Sequence, residues 1–82
     1  MSDEITTEEI AANYIAMGHS VDLINAVIAG NQMADEEAKE RQDCVDRNVE
    51  HLQLMVAKDY WTDQSMTAVN AAITAGQGYT AE

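Results

Sequence analysis

The sequence predicts an all-α protein: a small helical bundle of two long helices and one shorter C-terminal helix. Proline is absent and alanine is abundant, which suits helices that pack at close range. Apolar residues recur at alternating spacings of three and four over two long stretches. The 82 residues form one small domain, residues 1–82, whose core is marginal unless the helices pack tightly or chains associate. We therefore expect that association between chains could complete the bundle.

The first helix is expected over about residues 7–29. Thr6 and Glu9 have the spacing of a capping box, and Gly30 with Asn31 is typical of a helix C-terminus. Gly18 interrupts the pattern, so one continuous helix and two shorter helices both remain open. The apolar positions follow heptad spacing, which keeps one stripe of a helix facing a partner. This stripe, the first-helix seam, is our candidate interaction surface and consists of Ile10, Tyr14, Met17, Val21, Ile24 and Ile28.

The second helix is expected over about residues 34–58, with three acidic residues, 35–37, in its first turn. Gln42 is the one polar member of its apolar stripe, and we expect this side chain to be partly exposed near the start of the helix. The stripe repeats the spacing of the first one and consists of Ala38, Gln42, Val45, Val49, Leu52 and Val56.

The third helix is expected over about residues 63–75, between an N-cap at Thr62 and a stop at Gly76. Trp61 and Met66 occupy the two positions of a hydrophobic staple. Together with Tyr60 they are predicted to plug the end of the bundle. The tail, residues 76–82, shows no periodicity, and we expect it to be mobile unless Tyr79 docks on the bundle or on a neighbour.

The charge of the chain excludes several classes of partner. Fifteen acidic residues against four basic ones give a formal net charge of −11. Direct binding to DNA or RNA needs a cationic surface, and so does attraction to an anionic membrane. No apolar run approaches the ~20 residues that span a bilayer, and the acidic start MSDEITTEE is unlike a signal peptide. We expect neither nucleic-acid nor membrane binding.

Residues that could carry catalysis or bind a cofactor are sparse. The single cysteine, Cys44, permits no intramolecular disulfide. Cys44 and His51 are seven residues apart on one helix, so they lie roughly 10 Å apart, too far to share a ligand within one chain. A metal site made by this pair across a symmetric dimer stays open as a remote alternative. We expect no enzymatic activity and no cofactor.

The stretch RNVEHLQLMVAKDYWTDQSMTAVNAAITAGQGY, residues 47–79, carries a resemblance to known proteins. A helix ending near HLQLMVAKDYW, followed by WTDQSMTAVNAAITAG, resembles small uncharacterised proteins encoded by tailed bacteriophages, especially marine and cyanobacterial ones. The resemblance implies a viral origin, and hence a place in the cytoplasm of an infected host cell or in the virion. It carries no catalytic residue onto this chain.

Two functional hypotheses follow. The first is a non-enzymatic, acidic, helical interaction protein that acts by self-assembly, as a homo-oligomer, or by docking on a larger protein as a virion or assembly component. The second is a host-takeover factor that binds a basic groove of a host protein, with a DNA-mimic inhibitor as its extreme form. Residues 1–37 contain no Lys or Arg, which favours the second hypothesis slightly.

Overall fold

A computed structural model describes residues 6–82, and in this range the chain folds into three packed α-helices without any β-strand. The helices are α1 (Thr7–Ile28), α2 (Ala38–Val56) and α3 (Asp63–Gln77). Each helix packs against both others. The predicted all-α fold class is confirmed.

α1 is one continuous helix through Gly18. Its N-terminus is capped by Thr6, whose side chain accepts a hydrogen bond of 3.0 Å from the backbone N–H of Glu9. Its C-terminus closes with Gly30 in the left-handed region at φ 80°. Asn31 N–H then bonds Ala26 O at 2.8 Å, and Gly30 N–H bonds Val27 O at 3.1 Å. These two bonds define a Schellman motif, which satisfies carbonyl groups at the helix end.

α2 begins at Ala38, so the predicted start near residue 34 is wrong by about one turn. The three acidic residues assigned to its first turn, residues 35–37, lie before the helix. Met33 causes the difference, because its φ of 58° is incompatible with a right-handed helix. The side chain of Met33 packs against the core, and Glu36 N–H bonds Met33 O in a tight turn. The free energy gained by packing Met33 on the core therefore outweighs the free energy of starting α2 one turn earlier.

α3 begins with the predicted N-cap at Thr62, where a reciprocal pair of hydrogen bonds links Thr62 and Ser65. It runs two residues beyond the predicted end at residue 75, because Gly76 is a buried helical residue and not a stop. The C-cap is Gly78. A glycine inside this helix allows close approach to α2: an added Cβ at Gly76 would lie 2.4 Å from Val49 Cγ2.

The tail after α3 is held against the start of α2 through the docking of Tyr79 on the bundle, which was the predicted alternative to a mobile tail. Tyr79 packs against the core. The side chain of Gln42 donates to Tyr79 O at 3.1 Å and accepts from Ala81 N–H at 2.8 Å. Arg41 Nη2 donates to Glu82 O at 2.7 Å. Gln42 is half-buried, as predicted, and its role is to bind the tail backbone.

The core lies along the middle of all three helices and contains no aromatic ring among its fully buried members. Met17, Ile24, Val45 and Leu52 are its largest side chains with essentially no solvent exposure. Most of the remaining volume is valine, with one thiol and one alanine. Within residues 6–82 the buried hydrophobic residues are Met17, Val21, Ile24, Val27, Cys44, Val45, Val49, Leu52, Val69 and Ala72.

α1 and α3 run in the same direction, with α2 antiparallel to both. Near the start of α3, Trp61 lies against Tyr14, with ring centroids 6.3 Å apart. Near its end, a Cβ added at Gly76 would lie 3.6 Å from Ile24 Cγ2. The first two turns of α1 therefore extend past the start of α3, and this overhang positions the site described below.

Replacement of Gly18 by alanine is expected to stabilise the protein by about 0.4–1 kcal/mol. A Cβ at this position would meet nothing within 4 Å, so the change restores helix propensity without a steric cost. Thermal unfolding followed by circular dichroism should show a rise in Tm of a few degrees, on the scale of about 4–8 °C per kcal/mol for a domain of this size. An unchanged or lower Tm would show that the glycine is needed for the fold of the single chain.

Candidate interaction surface

The first-helix seam is divided between the core and the surface. Its centre, Met17, Val21 and Ile24, is buried inside the chain. Towards its two ends the seam is accessible to solvent: Tyr14 is 54% exposed and Ile28 is 37% exposed. Ile10 is half-buried. Contact between the seam and a partner therefore stays a prediction, and it applies to the accessible positions near the two ends.

The predicted end plug is built mainly from two rings. The Tyr60 and Trp61 centroids are 4.7 Å apart in a tilted pair, a favourable geometry for aromatic rings. Trp61 Nε1–H donates a hydrogen bond of 2.7 Å to Met55 O in the last turn of α2. Asn13 Nδ2–H, on α1, donates a hydrogen bond of 2.7 Å to Tyr60 OH. Both rings are half-buried, and Trp61 packs against the core. Met66 is also half-buried, one turn into α3.

An apolar groove of about 510 Å³ opens between the overhanging start of α1 and these two rings. Ile15, which the heptad pattern omits, lies on its wall and is 71% exposed. The lining residues are Thr7, Ile10, Ala11, Tyr14, Ile15, Tyr60, Trp61, Thr62 and Ser65.

A smaller depression of about 180 Å³ continues this groove along α1. Tyr14 and Ser65 line both parts, so the two adjoin at these side chains. The second part lies between α1 and α3, passes Gly18 and reaches Asp22. We call the two parts together the α1–α3 groove. From Thr7 to Asp22 it follows α1 for about 22 Å, given the rise of a helix.

Exposed acidic residues lie close in sequence to the lining of the α1–α3 groove, and Asp22 is part of the lining itself. Glu8, Glu9, Asp59 and Asp63 each neighbour a lining residue in sequence, and all four are exposed. One basic residue, Lys58, lies two positions from Tyr60. The charged residues in the lining or next to it in sequence are therefore mainly acidic.

Cys44 and His51 are engaged within the chain. Cys44 is buried and belongs to the core. His51 Nδ1 lies 2.8 Å from Ser20 Oγ, a hydrogen bond that satisfies the buried hydroxyl of α1. Among residues 6–82, no group of three or more His, Cys, Asp or Glu side chains is placed to hold a metal ion. The geometry lends no support to a shared Cys44/His51 site.

A carboxylate cluster at the start of α2 raises the pKa of Glu40. Glu40 shares a hydrogen bond with the Glu36 side chain and is repelled by its charge and, more weakly, by that of Asp43. These contacts raise the pKa of Glu40 above its ordinary value of 4.5. The folded chain therefore binds this proton more tightly than the unfolded chain, and folding gains stability as the pH falls through the raised pKa.

Replacement of Glu40 by glutamine is expected to raise Tm slightly at neutral pH, because it removes repulsion from Glu36. The advantage should vanish below about pH 4, where the wild-type carboxyl is itself protonated. Thermal unfolding across this pH range measures the difference. Lys39→Gln, at the neighbouring exposed position, controls for a general change in helix propensity. A glutamine variant whose advantage persists at low pH would contradict the electrostatic explanation.

None of the helices in residues 6–82 is both long and apolar enough to cross a membrane. Comparison with protein families, curated proteins and solved structures found no match to this chain.

Proposed function

We propose that this chain is a non-enzymatic, acidic interaction protein of a tailed bacteriophage that acts by binding a protein at the α1–α3 groove. The observation that carries the proposal is the groove itself: an apolar cavity open to solvent, with Tyr14 and Ile15 among its most exposed members. Contiguous apolar surface with a polar border is typical of protein-interaction sites. The phage origin rests on the resemblance of residues 47–79.

Two modes of action are compatible with this surface. In the first, the chain is a virion or assembly component that associates with itself or docks on a larger subunit. In the second, it is a host-directed factor in the cytoplasm of the infected cell. The second mode is favoured by charge, because the first 37 residues contain no Lys or Arg and would be attracted to a basic host surface.

Sedimentation equilibrium over a wide concentration range, at low and high salt, separates self-association from binding to another protein. The decisive comparison is between Ile15→Ser, in the groove, and Leu54→Ser, at a residue on α2 that is 72% exposed. An oligomer lost in the first variant and kept in the second would support self-assembly at the groove.

If the wild type is monomeric, the same variants are used as baits in infected and uninfected host lysates. A protein retained by wild type and Leu54→Ser, but lost with Ile15→Ser, would support docking at the groove. Absence of both groove-dependent self-association and a groove-dependent partner would overturn the proposal.

A further inference from the structure

The occupant of the α1–α3 groove can be specified more closely, on the premise of the proposed function that this groove binds protein. We infer that it receives a basic amphipathic helix of another protein, which packs parallel to the groove as a fourth helix of the bundle. Shape, backbone approach and charge each contribute to this inference.

The shape of the groove fits a helix. α1 forms one wall for about 22 Å, the length of roughly four helical turns, and the opposite wall is formed by the Tyr60 and Trp61 rings at the wide end and by α3 at the narrow end. An amphipathic helix binds such a site by inserting apolar residues from successive turns. Three-helix bundles with one open groove become four-helix bundles when this position is filled. The Tyr14 and Trp61 rings offer the apolar anchoring surface at the wide end.

Gly18 is unexplained by the packing of the single chain. A glycine inside a helix lowers its stability, yet a Cβ at this position would meet nothing within 4 Å. Gly18 lies on the floor of the narrow part of the groove. Absence of a side chain there lets the backbone of an incoming helix approach α1 closely, which is a common use of glycine. We therefore place the closest point of the two helices at Gly18.

Charge selects the occupant. The exposed Asp22 in the lining of the groove and the net charge of −11 complement Lys or Arg residues placed beside the apolar stripe of a helix. A second copy of this chain fits poorly, because two copies each carry a net charge of −11 and repel one another. The chemistry therefore favours a cationic helix over self-association.

The test uses three synthetic peptides of about 16 residues, matched to the length of the groove. The first carries leucines at helical spacings of three and four, flanked by lysines, with alanine elsewhere. The second replaces every lysine by glutamate. The third contains the residues of the first in an order that scatters leucine around the helix. None contains Trp or Tyr, so fluorescence of Trp61, the single tryptophan of the protein, reports occupation of the groove.

The lysine peptide is expected to shift the Trp61 emission in a saturable manner at low ionic strength. The glutamate and scattered peptides should bind at least about tenfold more weakly. Raising the salt from about 0.01 M to 0.15 M should weaken the lysine peptide several-fold, because the screening length falls from about 30 Å to 8 Å. Equal binding of the scattered peptide would show simple attraction between opposite charges and would overturn the inference.

Variants locate the binding site. Ile15→Ser should weaken binding of the lysine peptide about tenfold through lost apolar contact, and Gly18→Gln should weaken it similarly by filling the point of approach. Gly18→Gln retains the fold, since the position has open space and glutamine is a good helix former. Leu54→Ser should leave the affinity within about twofold. Unchanged binding by Ile15→Ser and Gly18→Gln would place the peptide elsewhere and overturn the inference.

Failure of the basic-helix inference can be distinguished from failure of the proposed function. Groove-dependent self-association in the centrifuge, together with no binding of the lysine peptide, would identify a second copy as the occupant. It would overturn the basic helix while leaving the interaction function in place. No groove-dependent binding in any assay would overturn both.

Discussion

Replacement of Leu52 by alanine is expected to lower the free energy of unfolding by about 2–5 kcal/mol. Leu52 lies in the second half of α2, has no exposed surface and belongs to the core shared by all three helices. Removal of its branched side chain loses the transfer free energy of the deleted atoms and leaves a cavity. Domains of this length have total stabilities of roughly 4–12 kcal/mol, so the loss is a large part of the whole. Urea unfolding followed by far-UV circular dichroism measures it.

Leu54 provides the matched control for Leu52. It lies two residues further along the same helix, has the same side chain and is 72% exposed. The Leu54→Ala variant should change the free energy of unfolding by less than about 0.5 kcal/mol. Similar losses in both variants would be incompatible with the packing of α2 described above. Unfolding is compared at several protein concentrations, because a dimer that covered Leu54 would make its effect depend on concentration.

The heptad pattern predicted the central packing of α2 well and that of α1 less completely. Val45, Val49 and Leu52 are buried as the spacing requires. On α1 the same spacing continues through Tyr14, which is largely exposed. Periodicity indicates which face of a helix is apolar, but not how far its neighbours extend. Because α3 begins beside the middle of α1, the first turns of the seam are left without a helix to cover them.

The groove was only partly predictable for a related reason. Tyr14 was predicted as part of the interaction seam, whereas its neighbour Ile15 was overlooked. A usable signal was present: consecutive helical residues lie about 100° apart, so two large adjacent apolar residues cannot both point at one narrow core. Tyr60 and Trp61 were expected at the end of the bundle. Their second role, as a wall of the groove, depends on the overhang of α1, which no local pattern encodes.

The errors in the helix boundaries come from tertiary contacts made by single side chains. Met33 adopts a left-handed conformation and packs on the core, which delays the start of α2. Gln42 binds the backbone of residues 79 and 81, which orders a tail without any periodicity. Propensity and capping patterns describe neighbours in sequence, so contacts across 37 or more positions are outside their reach.

Gly76 shows this limit most clearly, and its replacement by valine is expected to cost about 3 kcal/mol, near the top of the range for overpacking. As a sequence feature Gly76 predicts the end of α3, but in the structure it is a buried helical residue at which α3 approaches α2 closely. An added Cβ would lie 2.4 Å from Val49 Cγ2 and 3.3 Å from Val45 Cγ1. Both neighbours are β-branched and have few alternative rotamers, so relief requires the helices to separate. Urea unfolding of Gly76→Val measures the loss.

Replacement of Gly18 or of Gly76 by alanine tests the same argument, because the two variants are expected to change the free energy of unfolding in opposite directions. Gly76→Ala gains about 1 kcal/mol of helix propensity but forces a methyl group into Val49, so we expect net destabilisation by up to about 2 kcal/mol. Gly18→Ala makes the identical chemical change in open space and should be stabilising. This pair of variants therefore distinguishes Gly76, which the fold requires, from Gly18, which the single chain does not need. If both alanine variants are more stable than wild type, close packing of α3 on α2 does not explain Gly76. If both are less stable, Gly18 serves the fold itself, and its place in the groove carries no information about a partner.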